Sequence, residues 1–191
     1  MTVESDALDN PARGPVAMYC LIAAETAIFT IFVVAYVFYI GKSATGPQPS
    51  QVLTLPIFAT ICLLSSSVTI HLAVKFLQTA RVVSFSLWWG LTFALGAIFL
   101  VATFREWRHL IYEDGLTIQT NLFGTTYYSL VGLHAFHVTV GLFALLTVLV
   151  LALRGDVGKQ HAERTGVLSM YWHFVDVVWV VVFLVVYVIG R

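Results

Sequence analysis

Charge is what this sequence has least of. Ten of its 191 residues are Lys or Arg and ten are Asp or Glu, so only 10% are charged and the formal net charge is zero. Soluble domains average about 25% charged residues. That deficit excludes a water-exposed globular fold, and the even balance leaves no basic surface for nucleic acid. Cysteine is almost missing. Cys20 and Cys62 form no Cys-x-x-Cys pair, which removes the usual iron–sulfur and zinc spacings. They lie in different apolar runs at depths about 15 Å apart at 1.5 Å per residue. A disulfide needs Cα atoms within about 7 Å, so none is expected. The leading segment, Met1 to Arg13, lacks the basic stretch and short apolar core of a cleaved leader.

Apolar residues fill the space that charge leaves, at 59% of the chain. They gather into five runs, about 16–40, 52–76, 82–104, 125–153 and 166–189. Each approaches or exceeds the roughly 20 residues that cross a bilayer as a helix. The expected fold is therefore all-α, a single transmembrane domain of five spans with short connections. Gly41, Gly46, Pro47 and Pro49 punctuate the first connection, and 105–124 is expected to be the longest. Five spans put the termini on opposite sides. Arg13, Lys75, Arg81, Arg154, Lys159 and Arg164 fall on one side, against Lys42, Arg105, Arg108 and Arg191 on the other. This excess predicts the N-terminus inside and the C-terminus outside.

Ionisable residues within such spans cost several kcal/mol unless a partner holds them. Glu25 lies about ten residues into the first span, flanked on its own helix by Leu21, Ile28 and Phe29. It is expected to be buried beside a lipid-filled cleft, with a partner from another helix, water or a lipid headgroup. His134 and His137 are three apart in the fourth span, as are His173 and Asp176 in the fifth. Each pair shares a helix face. Packing and hydrogen bonding between helices account for both pairs, and a proton relay is the functional alternative. Two histidines on one face could supply part of a metal site, but no third ligand of suitable spacing accompanies them. His71 and His173 reach similar depths, so a bis-histidine haem between the second and fifth spans is conceivable. Ser65, Ser66 and Ser67 are expected to bond back to their helix or across to a neighbour. Gly132 and Gly141 would let a neighbouring helix approach closely. Trp88, Trp89, Trp107, Trp172, Tyr112 and Tyr171 include candidate interfacial anchors. His109 and His161 are expected in solvated loops.

Four blocks carry a family resemblance. Tyr171-Trp172-His173-Phe174-Val175-Asp176-Val177-Val178-Trp179 resembles the signature of subunit III of the haem-copper oxidases. Gly132-Leu133-His134-Ala135-Phe136-His137-Val138 followed by Gly141 is similar to the family's double-histidine block. Glu25 with Phe29 and Tyr36, and Glu106-Trp107, match in family order. One position departs: Ala24 stands where the family usually has Ser, which removes a hydroxyl neighbour for Glu25. Longer members have seven spans, so the resemblance implies the short five-helix bacterial form.

The resemblance implies a non-catalytic subunit of a cytochrome c oxidase-type complex of aerobic respiration, reducing oxygen to water and pumping protons across the bacterial cytoplasmic membrane. It implies no cofactor or metal in this chain, with haem and copper in partner subunits. Subunit I would be the main contact, with subunit II and others in the complex, and structural phospholipid would bind between helices. Glu25, Glu106, His134, His137, His173 and Asp176 are the candidate proton- or lipid-associated residues; none is catalytic. The alternatives are an accessory subunit of a nitric oxide reductase, a b-haem membrane anchor, and a small transporter using Glu25 and Asp176. Whether cytochrome c or quinol donates the electrons is not written in these motifs.

Overall fold

In hydrocarbon every backbone N–H and C=O must find its partner inside the protein, so long apolar runs become helices. The computed structural model describes residues 13–43 and 45–190, and the leading segment, residues 1–12, lies outside them. The helices are α1 (Arg13–Tyr39), α2 (Pro49–Val52), α3 (Ile57–Gln78), α4 (Val82–Tyr112), α5 (Leu122–Leu153) and α6 (Ala162–Phe183). A 3-10 turn at Lys159–His161 leads into α6, and π-helical turns at Leu184–Ile189 end it. Five segments, Gly14–Tyr39, Ile57–Gln78, Val82–Tyr112, Leu122–Leu153 and Lys159–Ile189, are long and apolar enough to cross a membrane.

The spans close into a ring in the order α1, α5, α4, α3, α6, with α5 and α6 also touching across it. The α3–α4 hairpin is the most extensive pairing. Its connection is very short: Ala80 takes φ 58°, and the N–H groups of Ala80 and Arg81 bond the carbonyls of Leu77 and Phe76 at 3.0 and 2.9 Å. That closure satisfies the last carbonyls of α3 and sends α4 straight back. In contrast, α1 packs mainly on α5 and α6, with a smaller contact to the π-helical end, and among the described residues only Phe29 and Tyr36 are buried along it.

Three boundaries differ most from the sequence reading, the first being the start of α3 at Ile57 rather than 52. α4 continues two turns beyond 104 to Tyr112, and α6 starts at Ala162 rather than 166. Charged residues mark the interface in hydropathy, but they do not stop a helix. Arg105, Glu106, Arg108 and His109 therefore lie on α4, not in a long loop. His109 also pairs with Glu113 at 3.0 Å.

Asn121 fixes the following turn. Its side-chain oxygen accepts from the Gly124 N–H at 2.8 Å, capping α5, while its amide donates to the carbonyls of Thr45 and Pro47 at 3.1 Å each. One side chain thus ties the first connection to the start of α5. Asn121→Ala removes both the cap and the tie and should cost about 1–2 kcal/mol. A lowered thermal unfolding midpoint of the purified protein checks this; an unchanged midpoint would show that the tie contributes nothing.

Candidate functional site

The acidic side chains Glu25, Asp176 and Glu106 each centre a separate polar cluster that bridges helices. The first joins α1 to α5. His137 Nε2 lies 3.0 Å from Glu25 Oε2, and His137 Nδ1 lies 2.8 Å from the carbonyl oxygen of Leu133. A carbonyl only accepts, so Nδ1 donates there. The Glu25–His137 bond then holds one proton, on the carboxyl beside a neutral ring or on the ring beside a carboxylate. Either way the pair carries no net charge, which lowers the cost of holding it in the membrane. Phe29 packs on the His137 ring at 5.0 Å between centroids, and the Tyr171 hydroxyl of α6 donates to the His137 carbonyl at 3.1 Å. Glu25 retains 21% side-chain exposure, so it is half-buried. An apolar groove of about 390 Å³ runs between α1 and α6, bounded by Ile22, Thr26, Phe29, Phe174 and Val178. Glu25 lies next to Thr26 but does not itself line it.

The second cluster joins α3 to α6. Ser67 Oγ donates to Asp176 Oδ2 and lies 3.0 Å from His173 Nδ1. Asp176 is buried, and its Oδ1 has no hydrogen-bond partner among the described residues. Its acidic partner cluster with Glu25, allowed by their similar depths, does not form. Glu25 belongs to the α1–α5 pair, and α6 turns Asp176 toward α3.

The third cluster lies near the far end of α4. The Tyr187 hydroxyl donates to Glu106 Oε1 at 3.0 Å and sits 3.3 Å from the Tyr127 hydroxyl. Trp107 packs edge-on against Tyr128, with centroids 5.7 Å apart. Glu106 therefore faces the bundle, while its neighbours Arg105, Arg108 and His109 are exposed. The sequence reading missed Tyr187. A tyrosine in a run of valines near the end of a span looks like an interfacial anchor, and only the long α4 brings Glu106 to it.

His134 does not act with His137. It is 1% exposed, and neither ring nitrogen has a hydrogen-bond partner among the described residues. Trp179 stacks near it at 5.0 Å and 30°, with Phe99 at 5.8 Å and Phe29 at 6.5 Å. Three residues along α5 rotate the side chain by 60° from its neighbour, enough to turn one histidine to α1 and the other to α4 and α6.

Trp172 is the mechanical centre, which the reading of it as an anchor missed. Its indole N–H donates to Ser66 Oγ of α3 at 2.8 Å. A Cβ placed on Gly96 of α4 would stand 2.8 Å from the indole, and one on Gly141 of α5 would stand 2.7 Å from it. The two glycines thus make room for one aromatic ring. Gly141 serves this packing rather than close approach of another helix backbone, and Gly132 meets only ordinary contact with Trp107 at 3.7 Å. Trp89 is likewise buried rather than interfacial; its indole donates to the Leu145 carbonyl at 2.9 Å.

Among the described residues no three His, Cys, Asp or Glu side chains gather as a ligand set. A haem between His71 and His173 would have to part α3 from α6, which touch through Ser67–Asp176, Ser66–Trp172 and Thr60–Trp179 hydrogen bonds. Cys20 and Cys62 are free thiols.

Comparison with known proteins gives one consistent family. The family described as Cytochrome c oxidase subunit III matches residues 16–191. A Cytochrome c oxidase subunit 3 of Bacillus subtilis is 33% identical over 175 residues, covering 91% of this chain and 84% of the relative. That of Synechocystis is 37% identical over 172 residues, covering 88% of this chain and 72% of the relative. A Cytochrome bo(3) ubiquinol oxidase subunit 3 of Pseudomonas aeruginosa is 31% identical over 185 residues, covering 96% and 88%.

Proposed function

Because this chain belongs to the cytochrome c oxidase subunit III family, we propose that it serves a haem-copper terminal oxidase as a non-redox subunit. In this reading it packs against subunit I and holds phospholipid along its open faces. It supports proton uptake and the lifetime of the catalytic centre, with haem and copper carried by partner subunits. The observation that carries this role is the form of the three polar clusters. Each is a short bridge between two or three helices, and none continues into another. That pattern suits a scaffold more than a transporter, which needs a continuous chain of titratable groups across the membrane. The N-terminus is assigned to the inside by the basic residues of the connections.

The relatives include subunits named for both cytochrome c oxidases and quinol oxidases, so either donor is compatible with this fold. The Glu25–His137 pair stays neutral through any single proton exchange between its members, so it holds α1 in place without a fixed charge.

The test is to tag this chain, purify the complex in mild detergent and identify what comes with it. Co-purification with subunits that bind haem and copper and consume oxygen is the expected result. Recovery of the chain alone, or with one haem bound to itself, would overturn the reading.

A further inference from the structure

The face made by α3 and α6 carries a polar patch at mid-membrane depth that is open to the outside. Ser67 lies at the middle of α3, and His173 lies near the middle of the last span. His173 is half-buried, and His71, one turn beyond Ser67 on the same face of α3, is exposed. Around them Leu64, Val68, Val177 and Val180 are all exposed, and the next polar side chain along this face of α3 is Lys75, one turn beyond His71. Lipid tails offer an imidazole nothing, and a polar group facing them at this depth is costly.

The internal bonds define which hydrogen-bonding role is left over. Ser67 spends its one proton on Asp176, so its oxygen receives the Nδ1–H of His173. A neutral imidazole with its proton on Nδ1 presents Nε2 as an acceptor. That nitrogen makes no hydrogen bond among the described residues, and neither does the His71 ring. His173 therefore presents an acceptor inside the bilayer, between two flanking helices.

We propose that a transmembrane helix of another oxidase subunit docks on this α3–α6 face and donates a hydrogen bond to His173 Nε2, from a hydroxyl, amide or indole at its own midpoint, with His71 in the same contact. This rests on the chain being an oxidase subunit and adds which face is covered and by what chemistry. A transmembrane helix fits better than a lipid, whose polar groups lie at the bilayer surface. Its own backbone is satisfied, so one donating side chain completes the match.

A photo-crosslinking residue placed at Leu64 or Val180, both exposed beside the patch, tests this in the assembled complex purified by a tag on a different subunit. The expected result is a cross-link from both positions to one transmembrane segment of another subunit, and that segment carries a donor side chain at the matching depth. His71→Leu, which removes no bond within this chain, should lower retention of the chain through washing by about tenfold, the effect of one polar contact. Cross-links only to lipid or to a second copy of this chain, in a complex that still contains it, would overturn the docking face and leave the subunit assignment standing. A cross-linked segment without any donor would also overturn it. Absence of the chain from the purified complex would overturn the assignment and the docking face together.

Discussion

Gly141→Ala should destabilise the bundle by about 1–3 kcal/mol, although it adds a single methyl group. The new carbon would stand 2.7 Å from the Trp172 ring, well inside contact distance. In most cores the ring would slide away. Here Gly96 crowds another part of the ring, where a Cβ would stand 2.8 Å from Cζ2 of the same indole, and the Ser66 bond holds its N–H. Gly96→Ala should therefore cost a similar amount. The double variant should cost more than the sum of the two, because both methyls press one ring. Trp172→Phe removes part of the ring and should recover stability in the Gly141→Ala background while weakening the parent protein. Thermal unfolding midpoints of the parent and these five variants measure this coupling. Additive losses, with no recovery by Trp172→Phe, would show that the indole is free to move.

Asp176 gives the second large effect, and its direction depends on the replacement. Asp176→Leu removes the acceptor for Ser67 and leaves a half-buried hydroxyl with no carboxylate to bond. It should cost about 1–3 kcal/mol and loosen α6 from α3. Asp176→Asn keeps an acceptor oxygen in nearly the same place and should keep the fold and the association of the subunit. If the residue also served proton delivery, the Asn variant would slow oxygen consumption at high pH with the complex fully assembled. Packing is the favoured role, so the pH profile of turnover should stay unchanged in Asp176→Asn. Normal retention and turnover in Asp176→Leu would defeat both roles.

Much of the fold could be read from hydropathy alone. Five apolar runs became five spans, because lipid leaves the backbone no other solution. The ends of α4 and α6 could not be read this way, since a helix can extend past the hydrocarbon on its own hydrogen bonds. The site was legible only residue by residue. Spacing placed His173 and Asp176 on one face, and both do meet Ser67. Spacing also placed His134 and His137 on one face, yet one meets Glu25 and the other meets only aromatic rings. Periodicity gives a direction around a helix axis, but not which neighbour stands there. Trp172 and Tyr187 were missed for a related reason. An aromatic residue in a span suits either the interface or the core; Gly96 and Gly141 decide for Trp172, and Glu106 on the extended α4 decides for Tyr187.

The position of Trp172 also constrains the order in which the protein can be made. The chain leaves the ribosome from its N-terminus, so α3, α4 and α5 reach the membrane before the last span. Until then Gly96, Gly141 and Ser66 face an empty slot. The hairpin of α3 and α4 can close early, but the joint between four helices waits for the final thirty or so residues. A chain truncated before α6 would carry an unfilled seam along its length, and membrane quality-control proteases could recognise that seam as the mark of an unfinished subunit.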